Sequence, residues 1–251
     1  MAKQTGIIRL KGTIGGISFY KTADGHLARE KGGVDASRIK NDPAFQRTRE
    51  NGAEFGVAGK GGKVLRNAIR LLLQNAKDKR VVSRLTTDLL KIVKTDAVNE
   101  RGSRTIEDGN LELLEGFEFN INGKLGATLY TPAVNAFDRV AGDATVGVAP
   151  FSAKKRIAAP AGTTHFKMVM GAAEVDFTKE TFVFESDETA VLPYENAPTA
   201  QIDLTATVTA NSTLPVVHVL GIEFYQEVNG EMYSLKNGSY NALSIIDIDT
   251  V

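Results

Sequence analysis

The sequence predicts an α+β protein, with a β-hairpin and helices first and an antiparallel β-sandwich-like part after them. Three observations predict it. Apolar residues recur at helical spacing through Leu65, Ile69, Leu72, Leu85, Leu89 and Ile92. From about Thr105 they alternate with polar residues and are punctuated by turn residues. The charge changes sign at the same place: residues 1–105 carry 22 Lys and Arg against 10 Asp and Glu, a net of +12, whereas residues 106–251 carry 8 against 20, a net of −12. The chain of 251 residues is therefore read as a basic part, 1–105, and an acidic part, 106–251.

In chain order, Gly6–Gly12 and Gly16–Lys21 read as strands joined through Thr13-Ile14-Gly15-Gly16, where glycine accepts positive φ without steric cost. Asp24-Gly25 is a second turn, Leu27–Glu30 a third strand, and Lys31-Gly32-Gly33 ends the pattern. Asn41-Asp42-Pro43 is a helix start: Asp42 caps free amides, and Pro43 suits a first helical position because its missing N–H costs nothing there. A helix is expected from Phe45 to Phe55, broken by Gly56, Gly59, Gly61 and Gly62. A second is expected from Lys63 to Ala76. A third, capped by Asp78, carries the stripe Val82, Leu85, Leu89, Ile92.

In the acidic part, Leu111–Leu113, Phe117–Ile121 and Lys124–Tyr130 read as strands, the last two joined by an Asn122-Gly123 hairpin turn. Further strands are expected at Thr145–Val148, His165–Met170, Thr181–Glu185, Ile202–Val208, Val216–Glu227, Glu231–Leu235 and Ala242–Asp249. Asn229-Gly230 and Asn237-Gly238 are turns, and Ala158–Gly162 is a loop. Many short strands with frequent turns fit a sandwich or barrel, and the absence of alternating βαβ units disfavours a doubly wound sheet.

Composition excludes several classes. With no cysteine there are no disulfides and no thiolate metal sites. No apolar run approaches the roughly 18 residues of a membrane helix. The opening MAKQTGIIRLKGTIGG lacks a secretory apolar stretch, so the expected location is the cytoplasm or an assembled particle. The glycine cluster Gly56–Lys63 resembles a phosphate loop only superficially: Val57 stands where the first glycine belongs, and Val64 where a hydroxyl residue would hold magnesium. His26, His165 and His218 have no metal-ligand spacing. The pairs Asp247/Asp249 and Glu185/Asp187 read as solvated strand faces. No catalytic residue, cofactor or metal is expected, and no small-molecule substrate is evident.

Two functional readings follow from the charge. Arg47, Arg49, Lys60, Lys63, Arg66 and Arg70, extended by Lys77, Lys79, Arg80 and Arg84, form a basic series suited to nucleic-acid phosphates. Glu50, Glu54, Asp78 and Asp88 interrupt it. Phe45 and Phe55, the nearby aromatics, read as core and not as stacking platforms. Alternatively, equal and opposite charges neutralise each other, within one chain or between copies. Between copies this gives a self-assembling, non-enzymatic structural protein, a homo-oligomer or a component of a phage-like particle or filament. That is the leading expectation.

The stretch Lys11-Gly12-Thr13-Ile14-Gly15-Gly16-Ile17-Ser18-Phe19-Tyr20-Lys21, with Asp24-Gly25, Arg29 and then Asn41–Arg49, resembles the opening of uncharacterised protein families of Bacteroidota. The resemblance covers about the first 75 residues. It implies a bacterial or phage-associated origin and transfers no activity.

Overall fold

The computed structural model describes residues 2–30 and 32–250; Lys31, part of the expected strand break, lies outside them. The chain divides into two compact units, residues 1–49 and 50–251. The change of charge and periodicity near residue 105 falls inside the second.

In the first unit, β1 (Ala2–Lys3), β2 (Gly12–Ile14), β3 (Ile17–Thr22) and β4 (Gly25–Glu30) form an antiparallel sheet in the order β1-β4-β3-β2. The glycine turns form as expected: Ile14 pairs with Ile17 around Gly15, whose φ is +58°. The strand expected over Gly6–Gly12 does not form. The Gln4 carboxamide accepts from the Leu10 N–H (2.8 Å) and donates to the Leu27 carbonyl (3.0 Å), which throws the intervening residues out as a loop. An unexpected helix α1 (Ala36–Asn41) is capped by Asp35, which accepts from the Ser37 N–H at 2.7 Å. Asp42 caps the next turn, Pro43–Phe45, through the Ala44 N–H at 2.9 Å.

α2 (Gln46–Ala68) runs straight through the glycines expected to interrupt it. Gly61 and Gly62 are buried, and a Cβ on them would lie 2.1 Å from Ile106 Cδ1 and 3.3 Å from Leu89 Cδ1. Close packing there offsets the roughly 1 kcal/mol helix penalty of each glycine. After Ile69 comes the short α3 (Arg70–Leu73), then α4 (Val81–Thr95). The buried stripe of α4 is Val81, Leu85, Leu89, Ile92 and Val93; Val82, expected in it, faces solvent. Phe55, expected in the core, is also exposed.

Beyond residue 105 the first three expected strands are replaced. Leu111–Leu114 is a 3-10 turn, and α5 (Leu125–Thr128) occupies the third. Residues 116–119 exchange hydrogen bonds with the last strand: Phe119 N–H to Leu243 O and Ile245 N–H to Phe117 O, at 2.8 and 3.0 Å. The buried Asn120 carboxamide donates to the Ser239 and Asn241 carbonyls, which pins a loop where a hairpin was expected.

The strands proper are β5 (Ala133–Asp138), β6 (Asp143–Val148), β7 (His165–Asp176), β8 (Thr181–Glu188), β9 (Leu192–Pro193), β10 (Ile202–Thr207), β11 (Val216–Val228), β12 (Glu231–Ser234) and β13 (Ala242–Asp249), with a single helical turn α6 (Ala153–Arg156) after β6. One sheet has the order β10-β6-β5. The other runs β12-β11-β7-β8, with β13 also on β11 and β9 on β7. Asn229-Gly230 closes the β11–β12 hairpin with φ of +53° and +83°, the left-handed pair that matches strand twist.

The larger sheet is a middle layer. Val169, Ala173 and Val175 of β7 pack with α2 and α4, while Phe166, Met168, Met170 and Ala172 pack against the smaller sheet. Both faces of β7 and β11 are thus covered, so both strands are buried over most of their length, the polar Glu174, Asp176, His218 and Glu223 included. Among the described residues no helix is long and apolar enough to cross a membrane.

Candidate functional site

In the first unit no described residue is buried. Register places Ile14, Ile17, Phe19 and Ala28 on one face of its sheet. Ile14 and Ile17 are exposed, and a groove of about 360 Å³ opens beside Ala2, Gly16, Ile17 and Ala28. At the tip of the loop tied down by Gln4 stand Ile7, 103% exposed, and Ile8, 81% exposed. Arg9 and Lys11 follow, exposed and without an ion pair among the described residues. Residues 1–49 hold 10 Lys and Arg against 4 Asp and Glu, a net of +6.

In the second unit a depression of about 590 Å³ is lined by residues of β5 and β13, by Leu220 and by residues from Glu115 to Thr131. Leu125, Leu129, Ala133 and Ile246 give it an apolar wall, and Glu115 and Glu118 supply its charge. Glu118 accepts from the Leu125 N–H at 3.0 Å. Burial pushes its carboxyl up, while the N–H groups of Leu125 and Gly126 and the charges of Lys124 and Arg84 work against that rise.

The basic residues singled out in the sequence have divergent surroundings. Arg49 donates to the Ile39 and Asp42 carbonyls, and Arg47 is exposed. Lys60 pairs with Glu180 at 3.1 Å. Arg66 is half-buried, and burial pushes its guanidinium down. Arg84 binds Asp78 and the Glu118 carbonyl and lies over the Phe117 ring, so it is part of the packing. Lys63, Arg70, Lys77, Lys79 and Arg80 are exposed, and among the described residues their side chains form no ion pair, although the Arg80 backbone N–H donates to Asp78. Of the carboxylate pairs, Asp187 holds the Glu188 and Thr205 N–H groups, whereas Glu185 is exposed.

Asp247 and Asp249 are not a bare solvated face. Asp247 accepts from Asn135 at 2.7 Å, and Asp249 from Arg139 Nε at 2.9 Å. Between them and β5 sits His218, fully buried, its ring edge-on to Phe137 at 5.2 Å, with neither nitrogen hydrogen-bonded. Burial pushes this imidazole down, against the pull of Asp247 and Asp249. The imidazole thus lies enclosed beside two carboxylates that are already engaged by Asn135 and Arg139. Among the described residues no group of three or more His, Asp or Glu is placed to hold a metal.

Ile7, Ile8 and the Glu115–Glu118 depression escaped sequence reasoning, because Gly6–Gly12, Phe117–Ile121 and Lys124–Tyr130 were read as strands. The adjacent isoleucines carried a signal: two neighbouring apolar residues break the alternation of a half-buried strand. Comparison with known proteins finds no matching family model, no matching curated protein and no matching solved structure.

Proposed function

We propose that this is a non-enzymatic structural protein that assembles with copies of itself, as a component of a particle or filament such as those of phages. The observation that carries this reading is the first unit: a four-stranded sheet with apolar side chains on one face and not one buried described residue. A small sheet gains independent stability by burying an apolar face, and this one leaves Ile14 and Ile17 in water. Its net charge of +6 is equal and opposite to the net of −6 on residues 50–251, which hold 20 Lys and Arg against 26 Asp and Glu. That complementarity favours a second copy as the partner that covers the sheet. Size-exclusion chromatography with light scattering, followed by electron microscopy, tests it. Large regular species are expected, and a strict monomer at high concentration would sink the reading.

A second reading, contact with nucleic acid, draws on Lys63, Arg70, Lys77, Lys79 and Arg80, whose exposed side chains form no ion pair among the described residues. Binding to a random oligonucleotide should then weaken steeply with salt. Absence of binding at about 50 mM salt removes it.

A further inference from the structure

Resting on the assembly reading above, we propose that the Ile7-Ile8 tip of one copy inserts into the Leu125–Leu129–Ala133–Ile246 depression of a second copy, with Arg9 and Lys11 set against Glu115 and Glu118. Ile7 and Ile8 are the most exposed large apolar side chains among the described residues. The loop that carries them is already shaped, because Gln4 holds Leu10 and Leu27 through its carboxamide. Little conformational freedom is then lost on insertion. The receiving depression, about 590 Å³, has apolar walls and two carboxylates, and no Lys or Arg lines it. It exists because β5 ends one sheet and β13 lies at the margin of the other, and the two do not pair there.

Tip and depression are different patches on one chain, so their union between copies is head-to-tail. Such a contact propagates into a ring or an open filament. Burying two isoleucines supplies the apolar contribution, and the flanking opposite charges orient the approach.

The test uses the full chain and three variants. Ile7→Asp with Ile8→Asp spoils the tip at solvent-exposed positions. Gly126→Phe blocks the depression, since a Cβ on Gly126 meets nothing within 4 Å. Glu115→Lys, at an exposed position, reverses the rim charge and replaces Gly126→Phe if circular dichroism shows that variant unfolded. Under conditions where the native chain assembles, the tip and blocked variants should each be monomeric by light scattering. Mixed in equal amounts they should form one-to-one dimers and nothing larger, because one brings an intact tip and the other an intact depression. Glu115→Lys should raise the dissociation constant tenfold or more, and adding Arg9→Glu to a partner chain should recover most of that loss. A native chain that assembles while the variants assemble equally well, or a mixture that stays monomeric, overturns this contact and leaves the assembly reading standing. A native chain that never assembles overturns both.

Discussion

His218 of β11 and Asp247 of β13 stand opposite each other in the ladder, Nδ1 3.9 Å from Oδ2, with no hydrogen bond between them. A register shift follows at once, between His218 and Val219, and it leaves Ile246 as the extra residue of β13. The imidazole is therefore held by packing against Phe137 and not by polar bonds.

Burial depresses the His218 pKa in the folded chain, so the unfolded chain binds its proton first as pH falls. The stability His218 contributes is full above about pH 6.5 and is lost below it, at no more than about 1.4 kcal/mol per pH unit. His218→Phe, which keeps an aromatic ring beside Phe137, should flatten that slope. Urea unfolding of both proteins at pH 7.5 and 5.5 measures it; equal slopes would contradict the assignment.

Arg84 is expected to matter for stability more than for any ligand. Its guanidinium donates to Asp78 at 2.5 Å and to the Glu118 carbonyl at 2.7 Å, and it covers the Phe117 ring. Burial pushes the Asp78 carboxyl up, but the Ile121 and Arg80 N–H groups and Arg84 outweigh it and hold it below the usual range. Arg84→Ala should destabilise by about 1–3 kcal/mol, with lysine a poor substitute because it cannot fork between partners. Thermal unfolding of both variants decides this.

The glycines of α2 should separate into two classes. Gly56 and Gly59 have open space where a Cβ would go, so alanine there should stabilise by about 0.5–1 kcal/mol each. At Gly61 the same change drives a Cβ against Ile106 and Phe177 and should cancel or reverse that gain, to a loss of about 1–3 kcal/mol. Chemical denaturation of the three single variants provides the comparison.

Asp96 organises the loop after α4, accepting from the N–H groups of Val98, Asn99 and Thr105 and from the Asn99 carboxamide. Burial alone would raise its pKa; these donors outweigh it and hold the carboxyl well below the usual range. Its contribution is complete above the ordinary carboxylate pKa and is lost only as pH falls through the depressed value. Asp96→Ala should lower the melting temperature and speed amide exchange across residues 97–108, whereas a silent variant would show that the loop is held by other means.

Assembly should weaken as salt rises, because part of the attraction lies between units of net +6 and −6 and is screened within about 10 Å at 0.1 M ionic strength. It should not vanish, since apolar burial at Ile7 and Ile8 is insensitive to that screening. Sedimentation across a salt series reads both contributions.

Much of the fold follows from local chemistry. Asn229-Gly230, Gly15, and the Asp42-Pro43 start are legible because each depends on the dihedral or capping preference of one or two residues. The α4 stripe and the strands β6 and β10 are legible because their apolar period needs no knowledge of the partner. Tertiary structure decided the rest. Gly61 and Gly62 stay helical because Ile106 and Leu89 pack on them, and residues 117–121 become a loop because Asn120 is buried against Ser239 and Asn241, more than a hundred residues away. Gln4 holding Leu10 and Leu27 turned an expected strand into an exposed isoleucine tip. Periodicity and propensity act over a few neighbouring residues, whereas these outcomes depend on which distant groups come within contact distance, and only the folded chain settles that.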